Sequence, residues 1–187
     1  MKTQNNIQAT GIFAKSATAN FDYNGVIATL NNSQRDILRE RIERVFTTAR
    51  NVVETPHRVS AWERGVRATA LDLIDNIEEQ VMYSFDDYNE FPKIDEAFAL
   101  NGAADWQRYS ESGCALICNE DIAERFCTPS ELKRVTGKGG LRMPNSREDW
   151  LDVQARALRQ AWRLISWWLG ENMRQSVLYC LKNDITA

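Results

Sequence analysis

Apolar residues recur every three to four positions along most of the chain, which is the spacing of amphipathic α-helices. The longest such pattern runs from residue 146 to residue 170 and holds four of the six tryptophans. Ser146 followed by Asp149 predicts a capping box where this helix begins, and Gly170 predicts its end. Its apolar face covers about half of the helix circumference, so we expect contacts with more than one neighbouring element. The apolar positions are Trp150, Val153, Ala157, Leu158, Ala161, Trp162, Leu164, Ile165, Trp168 and Leu169.

Two more long helices are predicted ahead of it. Ser33 with Asp36 and Ser60 with Glu63 predict capping boxes at their starts, and Pro56 ends the first of them. The first helix has its apolar face at Leu38, Ile42, Val45, Phe46, Ala49, Val52 and Val53. The second has its apolar face at Trp62, Val66, Ala70, Leu73, Ile74, Ile77, Val81 and Phe85. Beyond Gly170, helical spacing continues at Met173, Val177, Leu178 and Leu181.

The N-terminal residues differ from the rest because they are rich in Asn, Thr and Ala and alternate only weakly. They predict a tail that leads to an extended segment or small hairpin with its turn at Asn24-Gly25. The predicted fold is therefore mainly α: a single-domain irregular helical bundle with a short extended or β N-terminal segment. Residues 1–31 form the tail and extended segment, and residues 32–187 form the helical domain. We expect one shared core to bury Trp62, Leu73, Ile77, Trp150, Ala157, Ala161 and Trp168.

Composition narrows the class of protein. The chain is 43% hydrophobic and 26% charged, as in ordinary soluble globular proteins. Its net charge of −3 means that any affinity for nucleic acid or membrane must come from a local patch. There is no apolar run of about 18 residues, and the polar start lacks the hydrophobic segment of a signal peptide. We expect a cytoplasmic protein with no membrane partner.

Residues suited to catalysis or metal binding are scarce. His57 is the only histidine, and its position between Pro56 and a helix start favours a surface or capping role. The cysteines lack the paired spacing of a zinc site, so they are interpreted as buried thiols: Cys114, Cys118, Cys127 and Cys180. Residues 137–140, GKGG, invite a phosphate-loop interpretation, but the motif GxxxxGK[ST] and a preceding strand are missing. We therefore expect no catalytic residue, no metal and no cofactor.

Negative charge is concentrated between residues 72 and 96, where nine acidic residues and one lysine give a net charge of −8. A solvated helix face is the ordinary interpretation. The alternative is that carboxylates along a rigid helix copy the charge spacing of a nucleic-acid backbone and enter the channel of a nucleic-acid enzyme. A third possibility, an enzyme that uses Mg²⁺, is disfavoured because these acids lie along a line and do not converge. The candidate acidic residues are Asp72, Asp75, Glu79, Asp86 and Asp87.

Positive charge is concentrated in two other places. A loop without acidic residues contains Lys133, Arg134, Lys138 and Arg142, and the polar arc of the longest helix contains Arg156, Arg159, Arg163 and Trp167. A solvated loop and a cation–π pair of Arg163 with Trp167 are the ordinary interpretations. The alternative is a contact surface for nucleic acid or protein, since arginine and tryptophan are enriched in binding hot spots. In this interpretation Trp167 is exposed while Trp168 is buried.

Five runs of the sequence carry a resemblance: Gly102 to Ser110, Gly113 to Ile117, Asp121 to Arg125, Thr128 to Lys133, and Trp150 to Leu158. Over roughly residues 60 to 166 the chain resembles small uncharacterised proteins of phages, plasmids and other mobile elements of gut bacteria. It is also similar to a type II anti-CRISPR group. The resemblance brings no catalytic residue with it.

What the resemblance implies is a binding protein that disables a host nucleic-acid enzyme. The implied partner is a host protein such as a Cas9-type nuclease with its guide RNA. The alternative, based on the basic loop, is an accessory protein that binds nucleic acid directly.

Overall fold

The computed structural model describes residues 21–53, 58–99 and 147–182, without the side chains of residues 147–153. These residues form helix α1 (Tyr23–Ile27), α2 (Asn32–Val53), α3 (Ala61–Tyr88) and α4 (Arg147–Lys182). Residues 96–99 add a short helical turn, and the described ranges contain no β-strand. The prediction of a mainly α protein is confirmed.

The chain groups into two compact units. Among the described residues, unit 1 comprises residues 21–48, 76–95 and 166–182, and unit 2 comprises residues 49–53, 58–75, 96–99 and 147–165. The prediction of one helical domain over residues 32–187 stays a prediction.

The core of unit 1 is built from apolar side chains of α1, α2, α3 and α4 that are closed off from water. Burial of each large side chain stabilises the fold by about 1.5 to 3 kcal/mol. Those that are almost fully buried include Ile27, Leu38, Ile42, Phe46, Ile77, Val81, Leu169, Met173 and Val177.

Gly170 does not end the longest helix, which continues to Lys182. A glycine inside a helix costs only about 1 kcal/mol relative to alanine, and burial of Met173, Val177 and Cys180 beyond it outweighs that cost. Leu181, which continues the helical spacing beyond Gly170, is 40% exposed, while Cys180 is buried.

The start of α2 is capped two residues earlier than predicted. The Asn31 backbone N–H donates to the Gln34 side chain, and the Gln34 backbone N–H donates to the Asn31 side chain, both at 2.9 Å. This is the reciprocal arrangement of a capping box. The predicted box of Ser33 with Asp36 is wrong, since Ser33 already lies inside the helix.

Helix α1 replaces the hairpin turn predicted at Asn24-Gly25. The Asp22 side chain accepts a hydrogen bond from the Gly25 N–H at 2.9 Å and so caps the helix. A Cβ atom at position 25 would collide with that carboxylate, which explains the glycine. The predicted tail over residues 1–20 lies outside the described residues.

Three contacts tie α1 into unit 1. The Asn24 side chain donates to the Phe91 carbonyl at 3.2 Å and accepts from the Phe91 N–H at 2.7 Å. The Tyr23 hydroxyl donates to the Gly170 carbonyl at 3.0 Å, in a buried position. The Tyr23 and Phe91 rings also pack together, with centroids 5.7 Å apart. The short helix is therefore held by hydrogen bonds to backbone groups that are distant in sequence.

Unit 2 has its own core of buried apolar side chains. It buries Ala49, Val53, Val66, Ala70, Leu73, Ile74, Ala157, Leu158, Ala161, Trp162 and Ile165. The Ser60 hydroxyl accepts from the Glu63 N–H at 3.1 Å, which confirms the predicted start of α3. Two apolar positions were predicted wrongly, because Val52 is 55% and Leu164 49% exposed.

The expected core set is confirmed in part. Leu73 and Ile77 are buried, as are Ala157 and Ala161. Trp62 and Trp168 are only half-buried, which corrects the prediction for both. The side chain of Trp150 lies outside the described residues.

None of the described helices combines the length and the apolar character needed to cross a membrane.

Candidate functional site

The predicted acidic residues differ in whether they form ion pairs. In unit 2 the Asp75 carboxylate pairs with Arg50 at 2.7 Å. In unit 1 the Asp86 carboxylate accepts from both Nε and Nη2 of Arg39, each at 3.1 Å. These two carboxylates therefore neutralise arginines of α2. Asp72 is exposed on the surface of unit 2.

Two of the predicted acids of unit 1, Glu79 and Asp87, form no ion pair within the described residues. Both side chains are exposed. Asp87 lies in the last turn of α3, which contains no basic residue. A carboxylate at a helix C-terminus opposes the helix dipole and costs about 0.3 to 1 kcal/mol. Helix stability therefore does not explain this acid.

Helix α3 ends at a left-handed residue next to these acids. Asn89 has φ 54°, a conformation that asparagine tolerates better than most side chains. Its N–H donates to the Phe85 carbonyl at 3.0 Å, and the N–H of Glu90 donates to the Ser84 carbonyl at 3.4 Å. The reversal fixes the direction in which the last turn presents its side chains.

Two tyrosines near the C-terminal end of α3 are exposed to solvent. Tyr83 is 55% and Tyr88 61% exposed. Their rings meet edge to face with centroids 5.8 Å apart, and the two hydroxyl oxygens lie 3.3 Å apart. The pKa of Tyr83 is raised, first by the hydrogen bond with Tyr88 and then by the charge of Asp87. The contact holds two large amphipathic rings in a fixed arrangement.

We name the group of Glu79, Tyr83, Asp87 and Tyr88 the tyrosine surface. Sequence reasoning found its acids and missed its tyrosines. The signal was present, because Tyr83 follows Glu79 and precedes Asp87 by four residues each, so the three share one helix face. The arrangement offers aromatic area and negative charge to a partner.

The arginine candidates of α4 also differ in their contacts. In unit 2, Arg156 lies over the Trp62 ring at 5.4 Å, and the Trp62 indole donates to the Gln160 side chain at 2.8 Å. Arg159 and Arg163 are exposed and form no ion pair within the described ranges. Within unit 2, the arginine of this arc that lies over a tryptophan ring is Arg156, on Trp62, and not Arg163 as expected.

The two adjacent tryptophans of α4 differ in solvent exposure, and the more exposed of the two is the one that the helix phase predicts. Trp167 in unit 1 is 60% exposed, which confirms the prediction. Trp168 is half-buried.

Several candidates cannot be placed. The basic residues Lys133, Arg134, Lys138 and Arg142 lie outside the described residues, as do His57, Cys114, Cys118 and Cys127. Cys180 is buried, as expected of a thiol without a chemical role, and burial raises the pKa of its thiol. In the described ranges, no three His, Cys, Asp or Glu side chains converge into a group that could hold a metal.

Comparison of the chain with protein-family models, with curated proteins and with solved structures finds no match.

Proposed function

We propose that the protein is a non-enzymatic binding protein that inhibits a host nucleic-acid enzyme, with an RNA-guided nuclease of the Cas9 type as its target. The observation that carries the proposal is the tyrosine surface, where two exposed tyrosines contact each other and two carboxylates of α3 form no ion pair within the described residues. The biological setting comes from the resemblance to proteins of mobile elements.

The chemistry of the tyrosine surface fits a cationic groove. Enzymes that hold nucleic acid line their channels with lysine and arginine. Glu79 and Asp87 would take the positions of phosphates in such a channel. Tyr83 and Tyr88 would supply the contact area, because tyrosine is among the residues that most often dominate binding energy. The net charge of −3 would also speed the encounter with a basic partner.

The test uses the purified chain against a panel of Cas9-type nucleases with guide RNA and of restriction nucleases. We expect the chain to co-elute with one member and to inhibit its cleavage. Replacing both tyrosines (Tyr83→Ala with Tyr88→Ala) should weaken binding by at least about 30-fold. Leu181→Ala is the control, since it removes an exposed apolar side chain of unit 1 outside the tyrosine surface. No binding to any member of the panel would sink the proposal.

The carboxylates are tested separately by Glu79→Gln and Asp87→Asn. Because exposed charges act mainly on encounter, we expect a slower association rate and a weaker dependence of that rate on salt. An unchanged association rate in both variants would remove these acids from the contact surface.

Direct binding of nucleic acid is the second candidate function, favoured by the exposed and unpaired Arg159 and Arg163. It predicts affinity for a bare oligonucleotide that falls steeply as salt rises, and that falls further in Arg159→Gln and Arg163→Gln. An inhibitor that binds only the enzyme has no such affinity. Filter binding at two salt concentrations separates the two functions.

A further inference from the structure

A polar groove lies between α2 and α4 within unit 1. Its volume is about 190 Å³, and its lining contains Arg41, Arg44, Trp168 and Asn172. The remaining lining residues are Val45, Thr48, Gln175 and Ser176, so the described lining has two positive charges and no carboxylate. The groove shares no residue with the tyrosine surface.

Arg41 is the unusual member of this lining. Its guanidinium carbon lies 3.9 Å from the centroid of the Tyr179 ring, which fixes the plane of the group. Its Nε is buried and has no hydrogen-bond partner among the residues that the structure describes. Among the described residues it forms no ion pair, whereas Arg39 pairs with Asp86 and Glu43. A buried donor without a partner is rare in folded proteins and calls for an explanation.

Some hydrogen-bond donors of the other lining residues are used within the helices, and others remain for a ligand. The Thr48 hydroxyl donates to the Arg44 carbonyl at 2.8 Å, and the Ser176 hydroxyl donates to the Asn172 carbonyl at 2.9 Å. Both hydroxyl protons are therefore used within their own helices. The Asn172 amide donates one N–H to the Trp168 carbonyl at 2.8 Å and retains its second. The donors that remain for a ligand include that N–H, the second amide N–H of Gln175 and the guanidinium groups.

We propose that this groove binds a phosphate monoester group between Arg41 and Arg44. A dianionic phosphate accepts several charge-assisted hydrogen bonds at once, and the planar guanidinium matches its oxygens. Arg44 now contacts Glu40 at 3.3 Å, with both side chains about 70% exposed, at 74% and 69%. Such a pair contributes little, so Arg44 can turn to a ligand at small cost. The proposal goes beyond the proposed function and does not depend on it.

Isothermal titration calorimetry at low salt tests the site with inorganic phosphate and AMP, and adenosine serves as the uncharged comparison. We expect saturable binding of phosphate or AMP and none of adenosine. Arg41→Gln and Arg44→Gln should each weaken binding by at least about tenfold, since each removes charge-assisted hydrogen bonds. Arg58→Gln removes the same charge from an exposed position of unit 2 and should leave the affinity unchanged. Arg44 is exposed, so its variant keeps the test valid if Arg41→Gln does not fold.

Two short oligonucleotides, one with a 5′ phosphate and one with a 5′ hydroxyl, extend the test. They distinguish a small-molecule phosphate ester from the phosphorylated end of a nucleic-acid strand. Binding of AMP or phosphate identifies a free small-molecule ester, and binding of the 5′-phosphorylated strand alone identifies a strand end. The proposal is overturned if none of these probes binds. It is also overturned if both strands bind equally, or if Arg41→Gln and Arg44→Gln both retain wild-type affinity.

Discussion

Unit 1 contains two buried hydrogen bonds between helices, beside exposed ones such as that of Arg39 to Asp86. In unit 1, Tyr23 bonds to the Gly170 carbonyl and Gln34 to the Cys180 carbonyl, both in buried positions. In unit 2, the bond of Trp62 to Gln160 is exposed and that of Arg67 to the Val53 carbonyl is only partly buried. Water competes for an exposed bond, whereas a buried group left without its partner is penalised in full. Substitutions should therefore cost more in unit 1.

The largest effect is expected at Gln34. Its side chain donates at 2.9 Å to the carbonyl of Cys180, which lies in the last turn of α4 where helix carbonyls lack a partner within the helix. It also completes the cap of α2. Gln34→Ala should lower the free energy of unfolding by about 2 kcal/mol, measured by chemical denaturation. Gln175→Ala, which removes an exposed glutamine of the same unit, is the control, and an equal loss in both variants would contradict the comparison.

The next largest effect is expected at Trp168, within unit 1. Because its side chain is half-buried, Trp168→Ala should cost about 1 to 2 kcal/mol, less than the roughly 3 to 5 kcal/mol of a fully buried tryptophan. Trp167→Ala, one residue away and 60% exposed, should stay within about 1 kcal/mol of the wild-type protein. Thermal melts of the two variants measure this difference. Equal, large losses would show that Trp167 is packed as well.

A smaller effect is expected at Tyr23. Tyr23→Phe keeps the ring in place and removes only the hydroxyl that donates to the Gly170 carbonyl. That carbonyl lies inside α4, where a helical hydrogen bond still satisfies it. We expect a loss of about 1 kcal/mol in the free energy of unfolding. A change below the error of denaturant titration would show that the hydroxyl contributes nothing.

The smallest effect is expected at Asp75 in unit 2. Its pair with Arg50 joins side chains that are 64% and 29% exposed. Asp75→Asn should change the free energy of unfolding by less than about 0.5 kcal/mol, and by less still at high salt. A loss above about 1 kcal/mol at low salt would mean that exposed contacts matter as much in unit 2 as buried ones do in unit 1.

Sequence patterns predicted the long helices because apolar periodicity and packing act over many residues. Single-residue signals were less reliable. Ser33 is a good capping residue, yet Asn31 caps α2, because Gln34 three residues later can both complete the cap and reach Cys180. Gly170 signalled an end that the packing beyond it overrides.

The candidate site was predicted in part for a related reason. Acidic residues can be counted from the sequence, but their ion pairs depend on which helix lies opposite. The arginines that pair with Asp75 and Asp86 lie 25 and 47 residues away in the sequence. The exposure of Tyr83 and Tyr88 follows from helix phase, whereas their mutual contact depends on where α3 ends.

The Asn24-Gly25 dipeptide in α1 has a consequence for the chemical ageing of the protein. Asparagine followed by glycine is prone to deamidation, in which the glycine nitrogen attacks the side-chain carbonyl carbon and ammonia leaves; water then opens the resulting cyclic imide to leave a carboxylate. In the folded chain, Phe91 holds both ends of the Asn24 amide and Asp22 holds the Gly25 nitrogen. The attack therefore requires α1 to leave its place. A carboxylate at position 24 could no longer donate to the Phe91 carbonyl, so each reacted molecule would lose that attachment, and the rate of ammonia loss at this dipeptide would record how often α1 opens.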